Sequence, residues 1–224
     1  MILQWRRCQS VALAILGVSA ACHLACAAGT SKVTGNIDVA AGEHSGNLST
    51  VNGAIQIREN AVVGTAHGVN GSISLESHAS AAELQTVNGS IKLAPHARVS
   101  GKLHTVNGKL TLADGAEVGG ALVNVNGAIK VAAAHVGGGI DTVSGGIELG
   151  PNAHVDGGIR VRKPGGFFNL GAEDVPRIVI GPGSVVGGTL NFERPVKLYV
   201  SDKATIGPVQ GATAVKYSGE RPPD

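Results

Sequence analysis

Seven of the eight histidines lie beyond residue 28, at His44, His67, His78, His96, His104, His135 and His154. Imidazole is both a common zinc ligand and a general base near neutral pH, so these are the first residues to test for chemistry. His78 and His96 are eighteen residues apart and share a position in a repeat, which predicts stacking within about 5 Å. No third ligand recurs with them, so solvated corner residues are expected rather than a metal site. His67 and His104 end their repeats and are expected to be exposed as well. The carboxylates Glu59, Glu76, Asp114, Glu117, Asp141, Glu148 and Asp156 are scattered. Glycoside hydrolysis needs two carboxyl groups converging on one bond. Asp141 and Asp156 fall at different repeat positions, and no pair is expected. The chain contains no Gly-x-Ser-x-Gly elbow, Walker loop or His-Glu-x-x-His. No catalytic residue, metal site or cofactor is expected, and the protein reads as a non-enzyme.

What would position these side chains is a repeat. Val51-Asn52-Gly53, Val69-Asn70-Gly71, Val87-Asn88-Gly89, Val106-Asn107-Gly108 and Val125-Asn126-Gly127 follow one another, with Val33-Thr34-Gly35 before and Val143-Ser144-Gly145 after. The steps are 18 or 19 residues. Such a unit is too short to bury its apolar face alone and must stack on copies of itself. Within one unit Val87, Ile91, Leu93, Ala97, Val99 and Leu103 read as inward, with Lys92 and Arg98 outward by strand alternation. Asn88-Gly89, Pro95-His96 and Ser100-Gly101 are corners. Three short strands and three corners give one triangular coil of a single-stranded parallel β-helix. Thirty-four glycines argue against helix, where each would cost roughly 1 kcal/mol.

Counting at the Val99 position, from Ser45 to Ile206, gives about nine coils and a rod roughly 40 Å long. The asparagines Asn52, Asn70, Asn88, Asn107 and Asn126 are expected to form a structural ladder, in left-handed backbone at the Asn-Gly corner. Aromatic rings are absent from the regular stretch, as a narrow aliphatic interior requires. Residues 162–177 interrupt the rhythm. The chain therefore divides into a leader at 1–28, regular coils at 29–161, an excursion at 162–177, final coils with a cap at 178–217, and a tail at 218–224. Phe167, Phe168, Phe192, Tyr199 and Tyr217 gather near the end, where bulky side chains would shield an open β edge.

Ala97-Arg98-Val99-Ser100-Gly101-Lys102-Leu103, Ala116-Glu117-Val118-Gly119-Gly120-Ala121-Leu122 and Ala153-His154-Val155-Asp156-Gly157-Gly158-Ile159 resemble the bactofilins. The resemblance implies a right-handed triangular β-helix that polymerises end to end. It covers most of 33–160 and again 178–206. The Val-Asn-Gly-x-Ile phrases are also similar to an adhesin-like β-strand-repeat family. Bactofilins are typically cytoplasmic with open ends, whereas this chain has an export-like leader and a covered C-terminus. A six-residue step through Val51, Ile57, Val63, Val69, Leu75 and Ala81 is also the hexapeptide rhythm of left-handed β-helices, acyltransferases among them. The right-handed form is the one favoured by the Ala-x-Val-x-Gly-x-Leu phrasing.

The leader reading rests on Arg6 and Arg7, the apolar run 11–21 and Ala25-Cys26-Ala27 as a cleavage site. Eleven apolar residues reach about 16 Å as a helix, short of a bilayer core near 30 Å. Processing leaves no transmembrane segment and removes all three cysteines, Cys8, Cys22 and Cys26. Cys22 after Ser19-Ala20-Ala21 is an imperfect lipidation box. The mature chain carries 16 of the 18 Lys and Arg against 16 Asp and Glu, a neutral balance with no footprint for nucleic acid. An exported scaffold of a bacterial envelope follows, periplasmic or at the surface, with itself or envelope components as partner. The alternative is a carbohydrate-binding or carbohydrate-active module using one flat face.

Overall fold

A computed structural model describes residues 28–164 and 175–222. The leader with Cys22, and most of the predicted excursion with Phe167 and Phe168, lie outside these residues. The described chain is all-β, with parallel pairing throughout. Equivalent residues of successive repeats sit side by side, as in Ile73↔Ile91, Leu93↔Leu112 and Leu103↔Leu122. The repeat length is therefore the length of one turn of a β-solenoid.

One coil shows how residues dictate faces. Ile91–Leu93 forms the first face, Arg98–Val99 the second and Leu103–Asn107 the third. Ile91, Leu93, Ala97, Val99, Leu103 and Thr105 are buried, and the residues between them point outward. Stacked, these positions make one aliphatic column, each coil laying branched side chains on the last. The first face has ten rungs, from Ile37–Val39 to Ala214–Tyr217. At about 4.8 Å per rung the column is roughly 45 Å tall. The expected nine coils fall short because the last strand adds a rung to the first face with no second-face strand after it. The residues used for the count, Ser45 to Ile206, do form an unbroken column on the second face.

The motif valines require a correction. Val87, Val106 and Val143 were expected inside; all three are half-buried outward residues, and Val51 is 39% exposed. Alternation runs from the buried Leu103, so His104 faces out, Thr105 in and Val106 out. The buried partner is thus the threonine before the valine. Its hydroxyl donates to the corner carbonyl one coil earlier: Thr86 to Gly71 at 2.9 Å, Thr105 to Gly89 at 2.9 Å and Thr50 to Gly35 at 3.3 Å. A buried hydroxyl needs such a partner. With Val51 and Val69 outside, the six-residue inward step is broken.

The corners differ from expectation too. Among the described residues, left-handed backbone outside glycine occurs at Asn60, His78, His96 and Asn152, not at the motif asparagines. Ala97 N donates to Ala94 O, Pro95 holds the second position and His96 (φ 61°) the third, the pattern of a type II turn. The motif glycine answers a different demand. A Cβ at Gly108 would collide with the carbonyl oxygen of Gly89 one coil earlier. Phe192 is a further correction: it is 4% exposed inside the column, stacked on Val161, so an aromatic ring does fit in the later coils.

The described end of the column is closed by Tyr217. It is 7% exposed, and its hydroxyl donates to Ile180 O at 3.2 Å. Burial raises its pKa above the ordinary phenol value, with Asp202 adding to the shift and Arg177 opposing it.

Candidate functional site

Because side chains fill the interior of the described column, what its coils present lies on the three outer faces and at the ends. The motif asparagines line the edge of the third face. Each amide donates to the side-chain oxygen of the asparagine one coil earlier: Asn70 to Asn52, Asn88 to Asn70, Asn107 to Asn88 and Asn126 to Asn107, all at 3.0 Å. All five are exposed and in register, so the ladder is a spine of hydrogen bonds parallel to the rod. Beside it runs the row of outward valines, from Val33, which is 73% exposed, through Val51, Val69, Val87, Val106 and Val125. Across the strands Leu48–Asn52, Leu103–Asn107 and Leu122–Asn126, and the third-face residues 66–70 and 84–88, there is no Asp, Glu, Lys or Arg. His67 and His104 sit mid-strand in this face and are half-buried, rather than ending coils in solvent as expected.

Charge lies on the other surfaces and on the remaining rungs of the third face, where Lys32 precedes the five and Asp141 and Arg160 follow them, and much of it pairs between coils. Arg58 grips Asp38 with two bonds, at 2.9 and 2.7 Å. Lys130 meets Glu148 at 2.5 Å, and Arg98 meets Glu117 at 3.4 Å. Arg160 holds Glu193 at 2.6 Å, and Arg162 binds Asp141. The Arg58 guanidinium keeps Asp38 below its ordinary carboxylate range. Glu193 is lowered in the same way by Arg160 and by the backbone N–H of Lys163. Asp114 accepts from the Ala133 backbone, and Glu76 from the Gln56 amide at 2.7 Å. Asp141 and Asp156 meet different partners, Asp141 with Arg162 and Asp156 with two histidines.

Four of the histidines form two stacks. His78 and His96 lie 5.2 Å apart with rings tilted by only 8°, placed by the turn that gives both a positive φ. The second stack has a carboxylate in it. His135 and His154 are in register on the second face, with ring centroids 5.3 Å apart. Asp156 bridges them: its Oδ2 lies 3.0 Å from His135 Nε2 and its Oδ1 2.9 Å from His154 Nε2. This group lies outside the expected sites, since it is beside His135 and His154, not His78 and His96, that a third ligand stands. The signal was present: His135 and His154 are one 19-residue coil apart, each preceding a buried valine, and Asp156 stands two residues after the second.

No protein-family model, curated protein or solved structure matches the chain. Among the described residues, no helix is long and apolar enough to cross a membrane.

Proposed function

We propose that this is a non-enzymatic scaffold of the bacterial envelope, exported and built to associate with its own copies through the third face. One observation carries the reading: five successive rungs of that face are free of charge and carry an unbroken outward row of valines beside an asparagine ladder. A patterned apolar row on an uncharged sheet is the kind of surface that marks an interaction site. The row repeats at the spacing of stacked strands, about 4.8 Å, so a partner that meets it rung for rung is another stack of the same kind. A second copy satisfies this without charge repulsion, since these five rungs bring no Asp, Glu, Lys or Arg to the contact. The export-like leader supports an envelope address.

The test is sedimentation velocity of residues 29–224 across a wide concentration range, beside a Val87→Lys, Val106→Lys variant. The wild type is expected to associate with rising concentration, and the variant to stay monomeric with unchanged thermal stability, because both positions face outward. A wild type that remains monomeric at every concentration, or a variant that associates equally well, contradicts the proposal. Fractionation with mass analysis of the mature N-terminus tests the address; an unprocessed cytoplasmic protein would overturn that part.

A further inference from the structure

We infer that His135, His154 and Asp156 form a binding site for a divalent first-row transition metal ion, zinc foremost. The three ligand atoms lie within 4.8 Å of one another. A tetrahedral zinc with bonds of about 2.0–2.1 Å places its ligands roughly 3.3 Å apart. Each imidazole Nε2 already lies close to that distance from one oxygen of the Asp156 carboxylate, His135 from Oδ2 at 3.0 Å and His154 from Oδ1 at 2.9 Å. Two imidazole nitrogens and one carboxylate oxygen suit zinc, nickel or copper, and suit magnesium or calcium poorly. Nε2 is the ligating nitrogen of both rings, and a fourth position is left to water.

The backbone holds the ligands before any ion arrives. His135 and His154 occupy the outward position of paired parallel strands, His135–Val136 and His154–Val155, whose valines are locked in the core. Asp156 stands where the neighbouring coils place Gly119, Gly137 and Gly187. No side chain from those coils fills the corner, and the Asp156 carboxylate can cross to His135 on the preceding coil. Glu117, in register with His135 one coil earlier, adds an anionic flank, although its carboxylate also meets Arg98 at 3.4 Å. His78 and His96 share the stacking but have no such carboxylate, which makes them the natural control.

The experiment is calorimetric titration of residues 29–224 with zinc chloride, and with magnesium chloride as the comparison. Zinc is expected to bind saturably at one ion per chain, with no heat from magnesium. His135→Ala with His154→Ala should abolish the binding, and Asp156→Asn should weaken it by at least about tenfold. His78→Ala with His96→Ala should leave it unchanged. All of these side chains are solvent-facing, so far-ultraviolet circular dichroism is expected to match the wild type in every variant. Absence of saturable zinc binding, or binding that survives loss of both His135 and His154, overturns the site.

Discussion

Asn124 departs from the rule of its own column. Thr86, Thr105 and Thr142 hold the same inward position in nearby coils, and a threonine hydroxyl there bonds a corner glycine. The Asn124 amide nitrogen reaches two such carbonyls, Gly108 O at 3.1 Å and Gly127 O at 2.8 Å. Its Oδ1 is buried with no hydrogen-bond partner among the described residues. A buried, unpaired carbonyl costs about 1–3 kcal/mol, more than one lost neutral hydrogen bond returns. Asn124→Thr should therefore stabilise the protein by roughly 1 kcal/mol in urea denaturation, and a clear loss of stability would show that the second amide bond outweighs the orphan oxygen. The same column explains what the sequence concealed. Thr and Val are both β-branched, so Thr105-Val106 reads equally well in either phase. Choosing the apolar member as inward was the natural error. The phase is set by Leu103, two residues earlier, and it becomes visible only when the whole strand Leu103–Asn107 is treated as one alternating unit.

At the scale of strands and turns, the corners were the more legible part. Pro95, Pro151 and Pro182 mark the second position of turns closed by Ala97, Ala153 and Ser184. The change from 18 to 19 residues marks where a residue is added at the next corner. Val62–Asn70 and Ser80–Asn88 run through that corner as single nine-residue strands, whereas Arg98–Val99 and Leu103–Asn107 are separated by Ser100-Gly101-Lys102. The turn that needs left-handed backbone could not be told from the Asn-Gly corner by residue type alone, since asparagine and glycine suit both. The terminal strand Ala214–Tyr217 matters for stability through one ring. Tyr217→Phe should cost about 1 kcal/mol for the lost bond to Ile180, and Tyr217→Ala about 3–5 kcal/mol for the uncovered core. Because folding raises the Tyr217 pKa, the neutral phenol favours the native state. Its contribution is complete below about pH 10 and is lost as the pH rises through the higher folded value, so thermal melts should show an alkaline drop that Tyr217→Phe lacks. Asp38 and Glu193 behave in the opposite sense. Their lowered values mean a contribution present at neutral pH and lost only on acidification below the ordinary carboxylate range.

For the molecule as a whole, the period alone determines most of the architecture: coil length, parallel stacking and a slim aliphatic interior follow from residues that recur every 18 or 19 positions. Function was less legible, because it depends on what differs between coils. The five charge-free rungs of the third face emerge only after outward positions are assigned, and Asp156 among glycines gains meaning only when His135 lies beside His154. The central claim is the register itself, with threonines inside and motif valines outside. Residues 29–224 contain no cysteine, so single cysteines can report it directly. Thiol labelling of Val51→Cys, Val106→Cys, Thr105→Cys and Val99→Cys variants under native conditions should be fast at the first two positions, and slow at the last two until the protein unfolds. Protection at 51 and 106 together with rapid labelling at 105 would contradict the account.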